Sequence, residues 1–432
     1  MENPAYQFDI STDNLMEIIC SRSYLNLAYK KVCQNKGIPG IDNISVKQLG
    51  SWIKDNQESF LKSMLDGTYK PKPVKGIFLP KPKGKGKRCI GVLSVIDRFV
   101  QQAILQVIND PIDLMFSDHS YGFRKNKSAL EAVQQAKSYI LEGHTYVADI
   151  DIAKFFDNIH HDMIVYKLSK IVKDKRVLRI VRKFLQSGML KYNTYEIKEK
   201  GIYQGGSLSP LLSNLLLHDL DILLEHRGHK FCRYADDIKI YTKSLKAAER
   251  VLLSVEKYLE KHLKLTCNKT KTKACKVNYS EFLGYKIDDL GKITAIPENI
   301  QNLKYKIKKL TKRSRFRDLT VMIKDLNQVI VGWTSYFRYD YRKGLYQDID
   351  SLLRRRIRAN ILRRAVVMKK KGTDWVKSIG GNPGSIDFNK LHWHYSLTIR
   401  KANYIIPLTW FNKNNLRSIF NSKEKYRNSV GS

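Results

Sequence analysis

The chain has 432 residues, with 78 Lys and Arg against 41 Asp and Glu and a formal net charge of +37 at pH 7. Its 43% hydrophobic content suits a sizeable core in roughly two or three domains, which excludes a disordered or collagen-like chain. So large a cationic excess repels itself unless a polyanion neutralises it, making nucleic acid the first candidate partner and an anionic membrane surface the second. No run of about eighteen apolar residues occurs, so no transmembrane helix is expected. The opening Met1-Glu2-Asn3-Pro4 lacks the marks of a secretory signal. The six scattered cysteines read as reduced thiols in a cytoplasmic protein.

In chain order, the spacing of Leu15, Ile18, Ile19, Leu25 and Ala28 predicts a helix over 13–34, with Ser11, Thr12 and Asp13 as capping candidates. Gly37-Ile38-Pro39-Gly40-Ile41-Asp42 then turns the chain. A strand through Ile77-Phe78-Leu79-Pro80, a basic glycine-rich turn from Lys81 to Arg88 and a second strand at 89–92 predict a hairpin. By composition that hairpin is either a solvated basic surface or a set of cations closing on a triphosphate. A helix is predicted over 96–108, with Phe99, Val100, Ala103, Ile104 and Val107 on its core face. In Ser120-Tyr121-Gly122-Phe123-Arg124, Arg124 either binds a phosphate or pairs with a buried carboxylate. Another helix, over 128–142, leads into a strand at 146–150 that carries Asp149 and then Asp151. The two carboxylates sit two residues apart on one side of that strand. His160 and His161 point to different faces, and a helix begins near His161. Ser209 is predicted as the N-cap, and Pro210 as the first residue, of a helix through Leu224. An amphipathic helix is predicted over 245–262.

Two short β-rich runs flank Tyr234-Ala235-Asp236-Asp237, which predicts a hairpin with adjacent carboxylates at its tip. By itself this is an ordinary solvated turn. The upstream acidic run, Asp149 to Asp157 through Phe155 and Phe156, changes the reading. A carboxylate at that strand's end, beside the hairpin tip, makes a hard oxygen site for Mg²⁺. Two Mg²⁺ about 4 Å apart are the usual device for in-line attack of a hydroxyl on a phosphate. His392-Trp393-His394, with no Cys or carboxylate beside it, is not expected to bind metal. Past residue 296 the composition turns basic: 302–317 holds Lys304, Lys306, Lys308, Lys309, Lys312, Arg313, Arg315 and Arg317 with no acid. A stripe of Leu326, Val329, Ile330, Trp333 and Phe337 marks the next helix, and 354–371 is again basic without an acid. Gly380-Gly381-Asn382-Pro383-Gly384 reads as a linker.

The Tyr-Ala-Asp-Asp box, the Asp149–Asp157 run and Gln204-Gly205-Gly206-Ser207-Leu208-Ser209-Pro210 together resemble a reverse transcriptase, specifically the bacterial group II intron-encoded reverse transcriptase and maturase. The likeness extends from about Asp13 to the last helix. It implies an α/β (α+β) right-hand polymerase fold, with fingers and an antiparallel-sheet palm over 1–295. A maturase-like helical thumb would follow over 296–375, then a small basic DNA-binding region over 376–432, with no endonuclease domain. The resemblance makes Asp151, Asp236 and Asp237 catalytic, and gives Asp151, Ile152, Asp236 and Asp237 to a site for two Mg²⁺. The family's spacing to its aromatic gate, here Phe156, favours Asp151 over Asp149. Lys81 and Arg88 match the triphosphate contacts, and Phe156, Gln204 and Gly205 border the nucleotide. A ring at Phe156 leaves no room for a 2′-hydroxyl, which implies dNTP substrates. Tyr203 stands where the family usually has Pro. Asn268, Lys271 and Thr272 fit the family's Asn-x-x-Lys-[ST] element, and Glu281 to Tyr285 resembles the primer grip. Lys304, Lys308, Lys309, Arg354, Arg355 and Arg356 are the implied RNA contacts. The implied activity is RNA-directed DNA polymerisation on an RNA template with a DNA primer, together with binding of a group II intron RNA for splicing and retrohoming into target DNA. A stand-alone bacterial reverse transcriptase in phage defence or repair, and a splicing-only maturase, are the rival readings.

Overall fold

A strand that is acidic on one side and apolar on the other needs a sheet with one covered face. The computed structural model, which describes residues 12–80, 86–192, 194–197, 199–312, 318–388, 390 and 399–428, supplies it. The chain forms two compact units, Met1–Lys276 and Val277–Ser432. The first opens with α1 (Leu15–Ile19), α2 (Arg22–Asn35), α3 (Leu49–Leu65), β1 (Val74–Pro80), β2 (Lys87–Val92), α4 (Val95–Asp113) and α5 (Ala129–Leu141). It continues with β3 (Tyr146–Asp151), α6 (Phe155–Asn158), α7 (His161–Ser169), α8 (Lys175–Gln186), β4 (Met189–Lys191) and β5 (Thr194–Glu196). It closes with α9 (Ser209–His226), β6 (Lys230–Tyr234), β7 (Asp237–Thr242), α10 (Leu245–Tyr258) and β8 (Lys273–Lys276).

The palm sheet has the order β6-β7-β3-β8, antiparallel throughout. Its register sets Asp151 opposite Asp237, Asp149 opposite Lys239, and Ile150 opposite Ile238. Residues opposite one another share a face. Ala148, Ile150, Phe231, Ile238 and Ile240 therefore line one face, where they join Leu217 and Leu220 of α9 and Val255 of α10 in the main core. Asp149, Asp151, Asp237 and Lys239 lie on the other face. The second sheet, β2-β1-β4-β5, pairs β1 with β2 antiparallel and with β4 parallel, and carries Lys87 and Arg88 on its outer strand.

Several boundaries differ from the sequence expectation. The helix predicted over 13–34 is two helices, because Ser21 takes the extended backbone of an N-cap (φ −64°, ψ 147°) and restarts the helix. Asn14, not Thr12 or Asp13, precedes α1, and Ser11 lies outside the described residues. Ser209 is the first residue of α9 rather than its cap: Leu208 holds the N-cap position, and the Ser209 hydroxyl donates to the Tyr203 carbonyl at 2.8 Å. α4 runs past the predicted end at 108 to Asp113, with Pro111 in its last turn. Ser128 caps α5 in a reciprocal box with Glu131.

The second unit contains β9 (Tyr285–Ile287), β10 (Ile293–Ala295), α11 (Pro297–Leu310), α12 (Leu319–Tyr336), α13 (Lys343–Met368), α14 (Lys370–Ser378), α15 (Ile399–Ile405), α16 (Leu408–Lys413) and α17 (Ile419–Asn428). Its start at Val277 precedes the change in composition near 296, because the β9–β10 hairpin is tied to the end of α12. Tyr336 donates to the Leu283 carbonyl at 2.9 Å, the Ala295 amide donates to Asp340 at 2.9 Å, and Arg342 donates to the Ala295 carbonyl at 2.8 Å. Residues 399–428 pack back on the same helices: Asp350 of α13 accepts from the amides of Ile419 and Phe420 and from the Ser418 hydroxyl. Among the described residues no helix is long and apolar enough to cross a membrane.

One buried carboxylate ties the N-terminal helices to α8. Asp174, its side chain 1% exposed, accepts from the Met16 amide at 2.8 Å and from Arg176, which also grips Glu17. Burial opposes the charge of Asp174, but the Arg176 and Met16 bonds outweigh it and hold the carboxyl below its ordinary range. A depressed folded-state pKa contributes stability that is present above the unfolded carboxylate range and is lost as pH falls through the folded value. Asp174→Asn should therefore cost about 2 kcal/mol at neutral pH. It should also lose less of its melting temperature than the unmodified protein between about pH 5 and pH 3. Equal acid slopes in the two proteins would count against the assignment.

Candidate active site

The β6–β7 turn is a two-residue hairpin in which Tyr234 pairs with Asp237 and Ala235 takes φ +56°. A residue with a Cβ is strained there, so the surroundings must hold it. Arg233 does this from the covered face. Its fully buried guanidinium makes a bidentate pair with Asp221 of α9 (2.7 and 2.5 Å). It also donates to the Asn214 side-chain oxygen at 2.8 Å and to the Ala235 carbonyl at 3.1 Å. The Asn214 amide donates in turn to the Gly122 carbonyl at 2.8 Å, and the Tyr121 amide to the Arg233 carbonyl at 2.8 Å. Gly122 is pressed so closely on the turn that a Cβ there would lie 2.4 Å from the Ala235 nitrogen. The Ser120–Arg124 block thus buttresses the turn. Arg124 itself, open between two readings, pairs with the Asp113 carboxylate at 2.9 Å and caps the carbonyls of Ser117 and Ser120. It holds a carboxylate.

On the open face, Asp151 and Asp236 come within electrostatic reach of each other. Burial, and then the Asp151 charge, push the Asp236 carboxyl above its ordinary range, while Arg88 and Lys271 pull it down. Asp237, half-buried, is also raised by burial, with Lys239 opposing. Lys239 separates the two remaining aspartates: its ammonium pairs with Asp149 and lies 3.1 Å from Asp237. Asp149 and Asp151, on one side of one strand, therefore have different partners. Asp151 is held by the 268–272 element: its carbonyl accepts from the Asn268 amide at 2.8 Å and the Thr272 hydroxyl at 3.2 Å, and its carboxylate from Lys271 at 2.9 Å. Lys239 and Lys271 were not among the expected site residues. The alternation of β7 was the available signal for Lys239, and the Asn-x-x-Lys-[ST] element for Lys271.

The walls come from three loops. Gln204 is tied to β2 through its carbonyl, which accepts from the Gly91 amide at 2.8 Å. Gly205 has φ +124°, and a Cβ there would meet the Gly91 oxygen at 2.4 Å, so only glycine fits. Tyr203, in place of the usual Pro, is buried and its hydroxyl donates to the Ser187 carbonyl. Phe156 is half-buried, packs edge-on to the fully buried Phe155 at 5.3 Å, and its carbonyl accepts from the Ile202 amide at 2.7 Å. Ile152 is buried at the end of the carboxylate strand. His161 is buried and bonded to the Gly201 carbonyl. Lys81, His392, Trp393 and His394 lie outside the described residues.

The donor chemistry fits a hard divalent cation. Burial and then the neighbouring Asp151 charge push Asp236 up, so a hard cation beside these oxygens would be stabilised there, with Lys271 and Arg88 supplying only part of the countercharge. Among the described residues no three His, Cys, Asp or Glu side chains converge as a ready-made metal cluster. In the second unit, Lys306, Lys308, Lys309 and Arg355 are exposed and Lys304 and Arg354 half-buried. Arg356 bonds the Thr311 hydroxyl at 2.7 Å and the Lys308 carbonyl at 3.2 Å, joining α13 to the end of α11. Arg313, Arg315 and Arg317 lie outside the described residues.

Residues 79–287 match the family described as reverse transcriptase (RNA-dependent DNA polymerase), and residues 300–378 the group II intron, maturase-specific domain. The chain is 27% identical over 314 residues to Protein YkfC of Escherichia coli, covering 63% of this chain and 82% of that one. It is 27% identical over 303 residues to the group II intron-encoded protein LtrA of Lactococcus lactis subsp. cremoris, covering 66% of this chain and 49% of the relative. It is 30% identical over 216 residues to the putative COX1/OXI3 intron 1 protein of Saccharomyces cerevisiae, covering 49% of this chain and 25% of that protein. The chain thus matches only about half of the Lactococcus relative's length.

The close approach of Gly122 gives a sharp test. Gly122→Ala must displace the turn that carries Asp236, and a shift on the order of 1 Å costs about 10²-fold in a positioned reaction. Primer extension on an RNA template should fall by about that factor. Extension at the rate of the unmodified protein would mean that the Gly122 contact does not hold the turn.

Proposed function

Because this chain belongs to the family of group II intron-encoded reverse transcriptases, we propose that it copies RNA into DNA from a DNA primer and binds a structured intron RNA to assist splicing and retrohoming into target DNA. The observation that carries the polymerase reading is the set of carboxylates brought to one place: Asp151 directly opposite Asp237 in the β3–β7 register, with Asp236 next to it in the turn and within electrostatic reach of Asp151. Asp151, Asp236 and Asp237, with the backbone at Ile152, are the residues to hold two Mg²⁺. Such ions, when bound, acidify the primer 3′-hydroxyl and neutralise the departing pyrophosphate. Arg88, with Lys81, orients the triphosphate. Gln204 and the bare backbone at Gly205 let the nucleotide approach the loop, and the Phe156 ring excludes a 2′-hydroxyl.

We assign the fingers and palm to 1–295, the maturase thumb to 296–375 and target-DNA contact to 376–432. Binding of intron RNA rests on the exposed cations of α11 and α13, Lys308, Lys309 and Arg355 foremost, with Lys304 and Arg354 beside them. Arg356, expected to contact RNA, is engaged between helices.

Three measurements test these assignments. Asp236→Ala should abolish primer extension while RNA retention on a filter stays nearly unchanged, because the cations of the second unit remain. Normal extension would sink the palm assignment. Phe156→Val should raise the catalytic efficiency for rNTPs relative to dNTPs, and an unmoved ratio would make Phe156 a plain core ring. Replacing Lys308, Lys309 and Arg355 with Gln should flatten the slope of log K against log salt by roughly two to three, at about 0.7 to 0.9 for each phosphate that a cation no longer neutralises. An unchanged slope would remove α11 and α13 from the RNA surface.

A further inference from the structure

Lys239 follows Asp237 by two residues on β7, so the two side chains leave the same face of the sheet. Asp149 stands directly opposite Lys239 and Asp151 directly opposite Asp237. The Lys239 side chain is 4% exposed, and its ammonium reaches one oxygen of Asp149 and, at 3.1 Å, Oδ1 of Asp237. An ammonium so deeply buried is costly unless it is paired. One carboxylate would suffice to pair it. The chain supplies two, and only one of them belongs to the Asp236-Asp237 tip.

We propose that Lys239 is a positioning residue for Asp237, with Asp149 as its counter-ion. Asp149 anchors the ammonium from the middle of β3, and the ammonium holds one of the two Asp237 oxygens. Asp149 therefore serves the site without being a metal ligand, and Asp237 enters it with a fixed rotamer. Within this trio one cation stands between two anions. This inference rests on the polymerase reading above, and concerns how that site is built.

Charge and tether can be separated by two variants. Lys239→Met removes the positive charge from between Asp149 and Asp237. The nucleotide-free protein should then bind Mn²⁺, followed by electron paramagnetic resonance, about tenfold more tightly, while primer extension at saturating metal slows by about tenfold or more. Lys239→Met combined with Asp149→Leu restores the charge balance with apolar side chains, a replacement that buried ion pairs commonly tolerate. Its Mn²⁺ affinity should return to within about threefold of the unmodified protein and its melting temperature should stay close to it, yet extension should remain about tenfold slow because Asp237 is untethered. Extension at the normal rate in the double variant would overturn the proposal, since Lys239 would then serve only to neutralise Asp149. Unchanged Mn²⁺ affinity in the folded single variant would overturn it too. Should Lys239→Met alone fail to fold, the double variant decides the matter by itself. A complete lack of extension by the unmodified protein would instead defeat the polymerase reading, and the Mn²⁺ titrations would still report on the tether.

Discussion

The buried pair between Arg233 and Asp221 is the constraint on which the rest of the palm depends. A two-residue turn with a positive φ at Ala235 stores strain, and adjacent carboxylates at its tip repel each other. Neither is tolerable in an unsupported hairpin. Arg233 meets the problem from behind, with its guanidinium spread over Asp221, Asn214 and the Ala235 carbonyl. The planar fork of arginine suits this, because one side chain reaches a carboxylate, an amide and a backbone carbonyl at fixed angles, as a lysine cannot. Through Asp221 and Asn214, Arg233 ties the acidic hairpin to α9, and the Asn214 amide and the Arg233 carbonyl tie both to the 120–124 block. Breaking the buried pair would leave a charge in the core without a partner, so the tie is obligatory once the fold has adopted it.

The two faces of the palm divide the labour. On the covered face Ile150, Ile238 and Ile240 pack against α9 and α10, and Arg233 is the charged exception. On the open face every carboxylate near the tip has a cation within reach: Lys239 for Asp149 and Asp237, Lys271 for Asp151, Arg88 for Asp236. Lys271 is 64% exposed and Lys239 is 4% exposed. That difference gives them different consequences. An exposed lysine can leave its carboxylate at little cost when a divalent cation arrives, whereas a buried one stays and becomes part of the framework.

Sequence order made the acidic strand and hairpin legible because alternation and turn chemistry are local. Asp149, Asp151 and the Asp236-Asp237 tip fell where a period of two and a short turn put them. The helices predicted over 128–142 and 245–262 form as Ala129–Leu141 and Leu245–Tyr258, and their caps, Ser128 and Ser244, are seen only in the structure. The interruption after Cys20 was not legible, because apolar spacing runs on across Ser21 and only its backbone shows the restart. Nor was the choice between Asp149 and Asp151. Spacing to Phe156 favoured Asp151, and what distinguishes the surroundings of the two, a lysine from the neighbouring strand paired with Asp149, depends on register between strands about ninety residues apart. Arg124 was undecided for the same reason, since its partner Asp113 is reached only once α4 is seen to extend to that residue.

Net charge, which first pointed to a polyanion, turns out to be spent unevenly between the two basic residue types. Arginines recur as internal ties: Arg98 on the carbonyls of Lys36 and Ile38, Arg176 on Asp174 and Glu17, Arg342 on Asp340, Arg356 on Thr311 and Arg358 on the Ile406 carbonyl. The lysines of α11 stand mostly in solvent. A guanidinium is weakly hydrated and offers several donors in a plane, so it is the cation that a fold can bury; an ammonium is strongly hydrated and works best as a point charge at the surface. Counting basic residues along 302–317 and 354–371 therefore overstates the phosphate contacts, because part of the arginine share holds helices together. The cations left in water after the fold has taken its own are, on α11, Lys306, Lys308 and Lys309.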